Sequence, residues 1–338
     1  MLIYGIDISK KDLHVYSPKD NNTISITNDI KTIYKYFKNL ELDDIMVVYE
    51  PTGIYGKNLE KVLNKLNIKH YLIHANDIHK LISALWDKNK NDTLDAKQIA
   101  NIAGLMIKQV ECNLGKNKLI NPNSDLVNEM NAILTQIHFI KNQINHINQW
   151  IEVLSFDPYS PKECLKFYNK QVNNYNSEID RLYNKLKMTF KELWVIDSLK
   201  NLETIPWIWE VIAVELLVFF LSLKEKWFAK EDVKKVISYT WLNPLESQSW
   251  TSLNKTKISK NWNKIIRWAM FMSWIVRSNI SNRDKYKNTT IGKFCLRMKD
   301  KFSNWKRKYW KSVACAVWKK LLSISRTIFR SNSTYQYI

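Results

Sequence analysis

Glycine is scarce in this sequence, whereas tryptophan is abundant. The chain of 338 residues has six glycines and fourteen tryptophans. Several tryptophans stand in polar or proline-marked turns, at residues 204–210, 239–244 and 259–263, where a positive φ is common and glycine is the residue that adopts it freely. We therefore predict that many of these positions are UGA codons that the host reads as glycine. The alternative is a chain that is truly rich in tryptophan, with indoles that pack in a core or stack on bases.

Cysteine and long apolar runs are also scarce. The four cysteines have no C-x-x-C spacing, which argues against a disulfide framework and against a zinc site. The most apolar stretch, residues 211–223, is 13 residues long and contains Glu215, so it is too short to span a bilayer. The N-terminus has no signal-peptide pattern. We expect a soluble, cytoplasmic protein that has no membrane partner.

Acidic residues are nearly absent from the last quarter of the chain. Residues 251–338 contain 21 Lys and Arg but only two acids, Asp284 and Asp300, and this block carries almost all of the net charge of +20. A basic block of this kind attracts polyanions and releases counterions when it binds them. Nucleic acid is therefore the expected partner, and a membrane surface or a merely solvated basic face are the alternatives.

Hydrophobic patterning divides the chain into three predicted regions. Strands followed by alternating helices and strands indicate a three-layer α/β domain over residues 1–120. Residues 121–198 keep apolar residues at helical spacing, with a break at the prolines of 157–161, and predict two antiparallel helices suited to an oligomerisation arm. Residues 199–338 predict a mostly helical domain. In the first region the predicted strands are 2–8, 13–17, 25–27, 45–49 and 69–73, and the predicted helices are 29–40, 58–66 and 93–108.

Four acidic residues end predicted strands or open a predicted helix. Asp7 lies at the end of the first strand, Glu50 directly follows the strand at 45–49, and Asp92 and Asp95 open a helix with the i, i+3 spacing that puts both on one face. Such carboxylates form a pocket of hard oxygen ligands suited to two Mg²⁺ ions, which points to phosphodiester cleavage or transfer. Taken singly, Asp92 is also a suitable helix N-cap, Asp95 a partner of the helix dipole and Asp7 an ordinary turn residue.

Three short motifs carry these acids: GIDISK at residues 5–10, EPTGIY at 50–55 and KNDTLDA at 90–96. They resemble the acidic motifs of the DEDD transposases of bacterial insertion sequences, the insertion-sequence family one hundred and ten. The resemblance implies an N-terminal domain like the RuvC resolvase and RNase H folds, with a mixed sheet flanked by helices. It also implies that the catalytic, metal-binding quartet, with two Mg²⁺ ions as cofactors, is Asp7, Glu50, Asp92 and Asp95.

One C-terminal segment resembles a DNA-binding element of the same family. Residues 202–209 look like the start of a helix-hairpin-helix element if Trp207 and Trp209 are read as glycine, because glycine lets backbone N–H groups approach a phosphate closely. A plain connection between two helices is the alternative. Relatives typically carry glycine where this chain has Trp86, Trp207, Trp209, Trp241, Trp250 and Trp262.

A second C-terminal segment is similar to the family signature in which a Ser-Gly pair precedes a basic Ile-Ser-Lys stretch. It covers residues 244–260, and the matching serine is Ser249, which is followed here by Trp250. The resemblance implies that Ser249 is the nucleophile that becomes covalently joined to a DNA strand. A serine hydroxyl needs activation, so folding or a neighbouring subunit must bring the acid quartet close to it.

The resemblance also implies the partners of the protein. These are donor and target DNA, a structured noncoding bridge RNA whose base pairing supplies sequence choice, and further copies of the chain in a dimer or tetramer. The expected nucleic-acid contacts, within and just after the serine signature, are Lys255, Lys257, Lys260 and Arg267.

The function that follows is that of a DNA transposase or recombinase, and two alternatives stay open. A metal-dependent RuvC-like nuclease or junction resolvase would use the acid quartet without Ser249. A non-catalytic nucleic-acid-binding remnant of a decayed element would bind DNA with a steep salt dependence and would be indifferent to the loss of Asp7.

Overall fold

A computed structural model describes residues 1–40, 44–74, 77–78, 92–111, 119–206, 208–225, 244–247, 255–258, 290–302 and 309–335. They divide into two compact units. The first is Met1–Asp125, and the second begins at Leu126. The predicted division into regions 1–120, 121–198 and 199–338 stays a prediction.

A five-stranded mixed sheet forms the centre of the first unit. Its strand order is β3-β2-β1-β4-β5. The strands β1, β2 and β3 pair antiparallel, whereas β4 lies parallel to both β1 and β5. The sheet therefore joins a three-stranded meander to a parallel half. It is mixed, as the sequence resemblance predicts. The strands are β1 Leu2–Ile8, β2 Asp12–Ser17, β3 Asn22–Thr27, β4 Ile45–Tyr49 and β5 Lys69–Leu72.

The third strand is longer than the sequence pattern indicates. The prediction of residues 25–27 was too short, because β3 runs over Asn22–Thr27 and pairs with β2 along its whole length. It is the edge strand, and none of its side chains is buried. Its first two residues, Asn22 and Thr23, are polar, so the backbone pairing with β2 rather than an apolar pattern sets the start of the strand.

Helices cover both faces of the sheet. Helices α1 (Ile30–Lys38) and α2 (Lys57–Lys65) pack on one face, where their apolar side chains form a core with alternate residues of β1 and β4. Helix α3 (Asp92–Glu111) covers the other face and packs against Met46 and Val48 of β4. The first unit therefore has the three layers that the alternation of strands and helices predicts.

Helices dominate the described part of the second unit. The apolar faces of its helices form one core, which includes most of α7. The elements are α4 Asp125–Phe156, α5 Lys162–Glu192, α6 Ile196–Glu203, α7 Glu210–Glu225, β6 Pro244–Ser247, β7 Lys255–Ile258, α8 Thr290–Phe302 and α9 Tyr309–Ser331. None of the helices in the described ranges has the length and hydrophobicity needed to cross a membrane.

Helices α4 and α5 are the predicted pair, and the break between them falls at the predicted prolines. In that turn the side chain of Asp157 accepts hydrogen bonds from the backbone N–H of Tyr159 (2.9 Å) and from the Ser160 hydroxyl (3.0 Å). Pro161 then stands as the N-cap of α5. Proline fixes its own φ and lacks an N–H, so this position ends one helix and begins the next without loss of an internal hydrogen bond.

The carboxylate in the apolar helix α7 has a partner in the core. Glu215 is 1% exposed, and His138 of α4 places its Nε2 at 3.1 Å from Glu215 Oε1. Nearby, Lys141 donates from Nζ to the Tyr183 hydroxyl at 2.9 Å. Burial lowers the pKa of Lys141, and the Glu215 charge opposes that shift. A charged group so deeply buried is tolerated when it is paired, which accounts for the acid inside the most apolar stretch of the chain.

His70 in β5 gives a pH-dependent contribution to the stability of the first unit. Its ring stacks on Tyr49 with the centroids 6.2 Å apart, and its Nδ1 donates to the Ile68 carbonyl at 2.7 Å. Burial lowers the pKa of His70 below its ordinary value of about 6.5. The unfolded chain therefore binds a proton more readily, and stability should fall as the pH drops below about 6.5.

We expect the native thermal midpoint to decline between pH 7 and pH 5 more steeply than that of His70→Phe. The comparison uses the slope against pH, because the substitution also removes the hydrogen bond to Ile68. The control is His146→Asn, since His146 is exposed on α4 and its loss should leave the profile unchanged. Parallel profiles for the native chain and His70→Phe would contradict this account.

Candidate active site

Asp7 and Glu50 lie side by side at one edge of the sheet. In the parallel pair of β1 and β4, Ile6 is opposite Tyr49. The residues that follow them, Asp7 and Glu50, are therefore neighbours at the carboxyl ends of two adjacent strands. The sheet register alone brings together two acids that are 43 positions apart in the sequence.

Both acids belong to the sheet face that α3 covers. Side chains alternate between the two faces of a strand. Ile6 and Tyr49 pack on the side of α1 and α2, whereas Val48 packs with α3. Asp7 and Glu50 each follow a residue of the first face, so they belong to the second. Both are partly buried.

Gly5 allows α3 to lie directly against β1. A Cβ atom at Gly5 would stand 2.0 Å from the Ala96 carbonyl oxygen and 2.7 Å from the Ala100 nitrogen. These are backbone atoms, and no side chain fits in that space. Further along the helix, a Cβ at Gly104 would lie 3.7 Å from Cδ1 of Ile3. Helix and strand are therefore in closest contact at Gly5, two residues before Asp7.

The same contacts give the direction of α3. Ala96, near the start of the helix, contacts Gly5, whereas Gly104, eight residues further along the helix, lies near Ile3. The helix thus runs antiparallel to β1, and its N-terminal end points toward the end of the strand that carries Asp7. Asp92 is the first residue of α3 and Asp95 is in its first turn. Asp95 is partly buried, and the side chain of Asp92 lies outside the described part.

The arrangement is an acidic edge in which all the oxygen donors are carboxylates. Carboxylate oxygens are the ligands that Mg²⁺ prefers, so the residue types fit the expected ions. Among the side chains that the structure describes, no group of three or more His, Cys, Asp or Glu is placed to hold a metal ion. The described geometry brings Asp7 and Glu50 together and directs the start of α3 toward them.

Asn28 is a residue of this site that the sequence analysis missed. Its Nδ2 donates to the carbonyl of Ser9 at 2.9 Å and to that of Tyr55 at 3.0 Å. Asn58 in α2 in turn donates to the carbonyl of Asn28 at 2.9 Å. Asn28 thereby ties the segment after Asp7 to the turn after Glu50. No short motif marks it, because its partners are backbone atoms distant in sequence.

The serine signature falls on a small β-hairpin of the second unit. Strands β6 and β7 pair antiparallel, with Ser247 opposite Lys255 and Leu245 opposite Lys257. Lys255 and Lys257 are two positions apart on β7. Ser249 lies in the connection between the strands, outside the described residues, as do Lys260 and Arg267 further along.

The segment predicted as a helix-hairpin-helix element contains two helices. Helices α6 and α7 are joined by six residues, in which Ile205 and Ile208 are buried. Trp209 is partly buried and packs against the core of the second unit. Trp207 lies outside the described residues, together with Trp86, Trp241, Trp250 and Trp262.

Comparison with known proteins identifies the first half of the chain. Residues 4–154 match the family model described as Transposase, that of the DEDD transposases of the IS110 type. The match contains nearly the whole sheet, the four acids and nearly all of α4. A search of curated proteins gives no match. Over residues 4–154, which carry the acidic edge, the resemblance of this chain to the DEDD transposase family of insertion sequences is therefore confirmed.

Proposed function

We propose that the protein is a DNA transposase, more strictly a recombinase, that uses the acid quartet together with Ser249 to cut and rejoin DNA strands. The observation that carries the proposal is the acidic edge, where Asp7 and Glu50 are register neighbours and α3 starts with Asp92 and Asp95. The mixed sheet with helices on both faces agrees with the RuvC-like fold that such a site requires. The match of residues 4–154 to the transposase family model implies that the substrate is DNA.

The quartet would hold two Mg²⁺ ions through its carboxylate oxygens. Such ions, when bound, stabilise the charge on the attacking and leaving oxygens at phosphorus. The protein contributes the fixed spacing. The pairing of β1 with β4 sets the position of Asp7 relative to Glu50, and the contact of α3 with Gly5 sets the position of the helical pair relative to both.

Ser249 would be the nucleophile. Its hydroxyl oxygen attacks the phosphorus of a DNA phosphodiester and loses its proton to a nearby base. A bond forms between Oγ and phosphorus, and the bond to the leaving sugar oxygen breaks, which frees a hydroxyl end. The hydroxyl end of another strand then attacks the phosphoserine, restores the serine and rejoins the DNA. The energy of the phosphodiester is kept in the covalent intermediate, so rejoining needs no further energy source.

The glycine interpretation of the tryptophans matters most at Trp250. This residue directly follows Ser249, and an indole there would occupy the space that a scissile phosphate must reach. Glycine at 250 would leave the serine accessible. Glycine at 207 and 209 would likewise open the connection between α6 and α7 to a phosphate backbone. We therefore include UGA recoding in the proposal for the active protein.

The nucleic-acid partners would be donor DNA, target DNA and a bridge RNA. The basic block of residues 251–338 supports this, because it concentrates the net charge of the chain and such a block binds phosphate backbones. Within it, Lys255 and Lys257 stand on β7, and Lys260 and Arg267 follow in the sequence. These four residues would contact backbones, whereas base pairing by the RNA would select the DNA sequence.

The outer half of the α4–α5 arm supports self-association into a dimer or tetramer. Between Lys141 and Glu178 no residue is buried, and acidic and basic residues are equal in number, at four each. Large apolar side chains stand exposed there. A neutral, apolar surface is unsuited to nucleic acid and suited to another protein surface. The exposed side chains are Trp150, Val153, Phe156, Tyr159 and Phe167.

Covalent capture of DNA tests the proposal. The chain is incubated with labelled donor and target DNA, the flanking RNA and Mg²⁺, and protein–DNA adducts are separated under denaturing conditions. We expect Ser249→Ala to abolish the adduct, whereas Ser252→Ala, a matched serine in the same connection, keeps it. Each variant is made in the chain as written and in one with glycine at the six positions where relatives carry it, and activity is expected in the second background. These positions are Trp86, Trp207, Trp209, Trp241, Trp250 and Trp262.

The outcomes separate the alternatives. Cleavage that persists in Ser249→Ala without an adduct would establish a metal-dependent nuclease or junction resolvase. DNA binding without cleavage in either background would establish a non-catalytic remnant. An adduct formed equally well by the chain as written would remove UGA recoding from the proposal but keep the recombinase.

A further inference from the structure

Helix α5 ends in a backbone motif in which one position is usually occupied by glycine. The helix stops at Glu192, and the backbone N–H of Trp194 then donates to the carbonyl of Lys191 at 3.0 Å. The N–H of Val195 donates to the carbonyl of Phe190, also at 3.0 Å. These two hydrogen bonds, one inside the other, define the Schellman motif, in which the residue at the position of Trp194 takes the left-handed conformation and is usually glycine.

Trp194 has that left-handed conformation, with φ of 55°. Among the described residues, the other positions with positive φ are occupied by glycine, asparagine or aspartate. Asparagine and aspartate tolerate this region because their short polar side chains bond locally, whereas a bulky side chain is strained there. Tryptophan is the exception in the set. The other members are Asn21, Asp44, Gly53, Asn67 and Asn332.

The indole of Trp194 gains no packing that would offset the strain. The residue is 93% exposed, whereas its neighbours Leu193 and Val195 pack against the core of the second unit. Trp318, by contrast, is 8% exposed and belongs to that core. The packing of the two neighbours and the two backbone hydrogen bonds therefore stabilise the left-handed conformation at position 194. The indole side chain makes no contribution of either kind.

We infer that the residue at position 194 of the functioning protein is glycine, encoded by UGA, and that Trp318 is a true tryptophan. The inference concerns a position that no turn pattern in the sequence marked, and it rests on the UGA recoding in the proposed function but not on the proposed DNA chemistry. According to this inference, only some of the fourteen tryptophan positions are glycine in the functioning protein. At position 194 a positive φ and an exposed indole favour glycine, whereas at position 318 an indole within the core favours tryptophan.

The chemical identity of residue 194 is the direct test. The protein is isolated from the cells that encode it and digested with trypsin, which releases the peptide of residues 192–200. We expect the mass of a glycine-containing peptide and a UGA codon at position 194, with UGG at position 318. A tryptophan-containing peptide, or UGG at 194, would overturn the inference.

Stability measurements test the physical reason separately. A side chain in the left-handed region shifts the folding equilibrium by a factor of about 5 to 30. We expect Trp194→Gly to raise the thermal midpoint by about 2–4 °C. Trp194→Ala removes the indole but keeps the Cβ, so it should give no such rise. Trp318→Gly should lower the midpoint, because it empties space in the core. A rise with alanine equal to that with glycine would overturn the conformational argument.

Discussion

Asp7→Asn is expected to lower the rate of DNA cleavage by at least about a thousandfold, a loss of about 4 kcal/mol of transition-state stabilisation. The amide keeps the size and the strand position of the side chain but removes the charge that a divalent cation needs. Because Asp7 and Glu50 are neighbours across β1 and β4, Glu50→Gln should have an effect of similar size. The measurement is single-turnover cleavage of labelled DNA in the presence of Mg²⁺.

The double variant tells whether the two acids act at one site. If they hold the same ions, Asp7→Asn with Glu50→Gln should be hardly slower than either single variant, since residues that act as a unit are strongly non-additive. DNA binding without Mg²⁺ should stay close to native in all three. Multiplied losses in the double variant would contradict a shared site.

Asp12→Asn is the matched control for these variants. Asp12 begins β2, close to Asp7 in the chain, and its hydrogen bonds with Ser9 are made by its backbone N–H and carbonyl. Its amide variant should cleave DNA at nearly the native rate. If Asp12→Asn were as slow as Asp7→Asn, the loss would reflect general disturbance of this edge of the sheet rather than the quartet.

The sequence predicts the inner strands of the first unit well and the edge strand poorly. The bounds of β1 and β4 coincide with the apolar runs at 2–8 and 45–49, because both strands lie in the core and most of their side chains are therefore apolar. Strand β3 is exposed and polar at its start, so nothing in its composition separates Asn22 from a turn. Burial leaves a signal in the sequence, whereas backbone pairing at an edge does not.

Some features of the candidate site can likewise be predicted from the sequence, and others cannot. The four acids are predicted from their places at strand ends and at a helix start. The contact of Gly5 with α3 and the bridge made by Asn28 could not be predicted, because both depend on backbone atoms of residues that are distant in the sequence. Trp194 shows a third kind of limit. Polar turns in the sequence predict glycine at several tryptophan positions. The Schellman motif after α5, by contrast, is recognisable only from its hydrogen bonds and from the φ of Trp194.

Gly5→Ala is expected to lower the free energy of unfolding by at least about 3 kcal/mol, the upper range of overpacking effects. The new Cβ would stand 2.0 Å from the carbonyl oxygen of Ala96, and neither backbone can yield without moving the helix. Displacement of α3 also displaces the start of the helix, so the fraction that folds should lose DNA cleavage as well. Denaturant unfolding and single-turnover cleavage measure the two effects.

Gly104→Ala is a control on the same helix with the opposite expectation. A Cβ there lies 3.7 Å from Cδ1 of Ile3, which is an ordinary contact, and alanine in a helix interior is more stable than glycine by about 0.5–1 kcal/mol. The pair therefore makes the same chemical change at two contacts between α3 and β1, with opposite signs. A Gly5→Ala variant as stable and active as Gly104→Ala would mean that α3 does not lie against β1 at this point, and the position inferred for Asp92 and Asp95 would be lost with it.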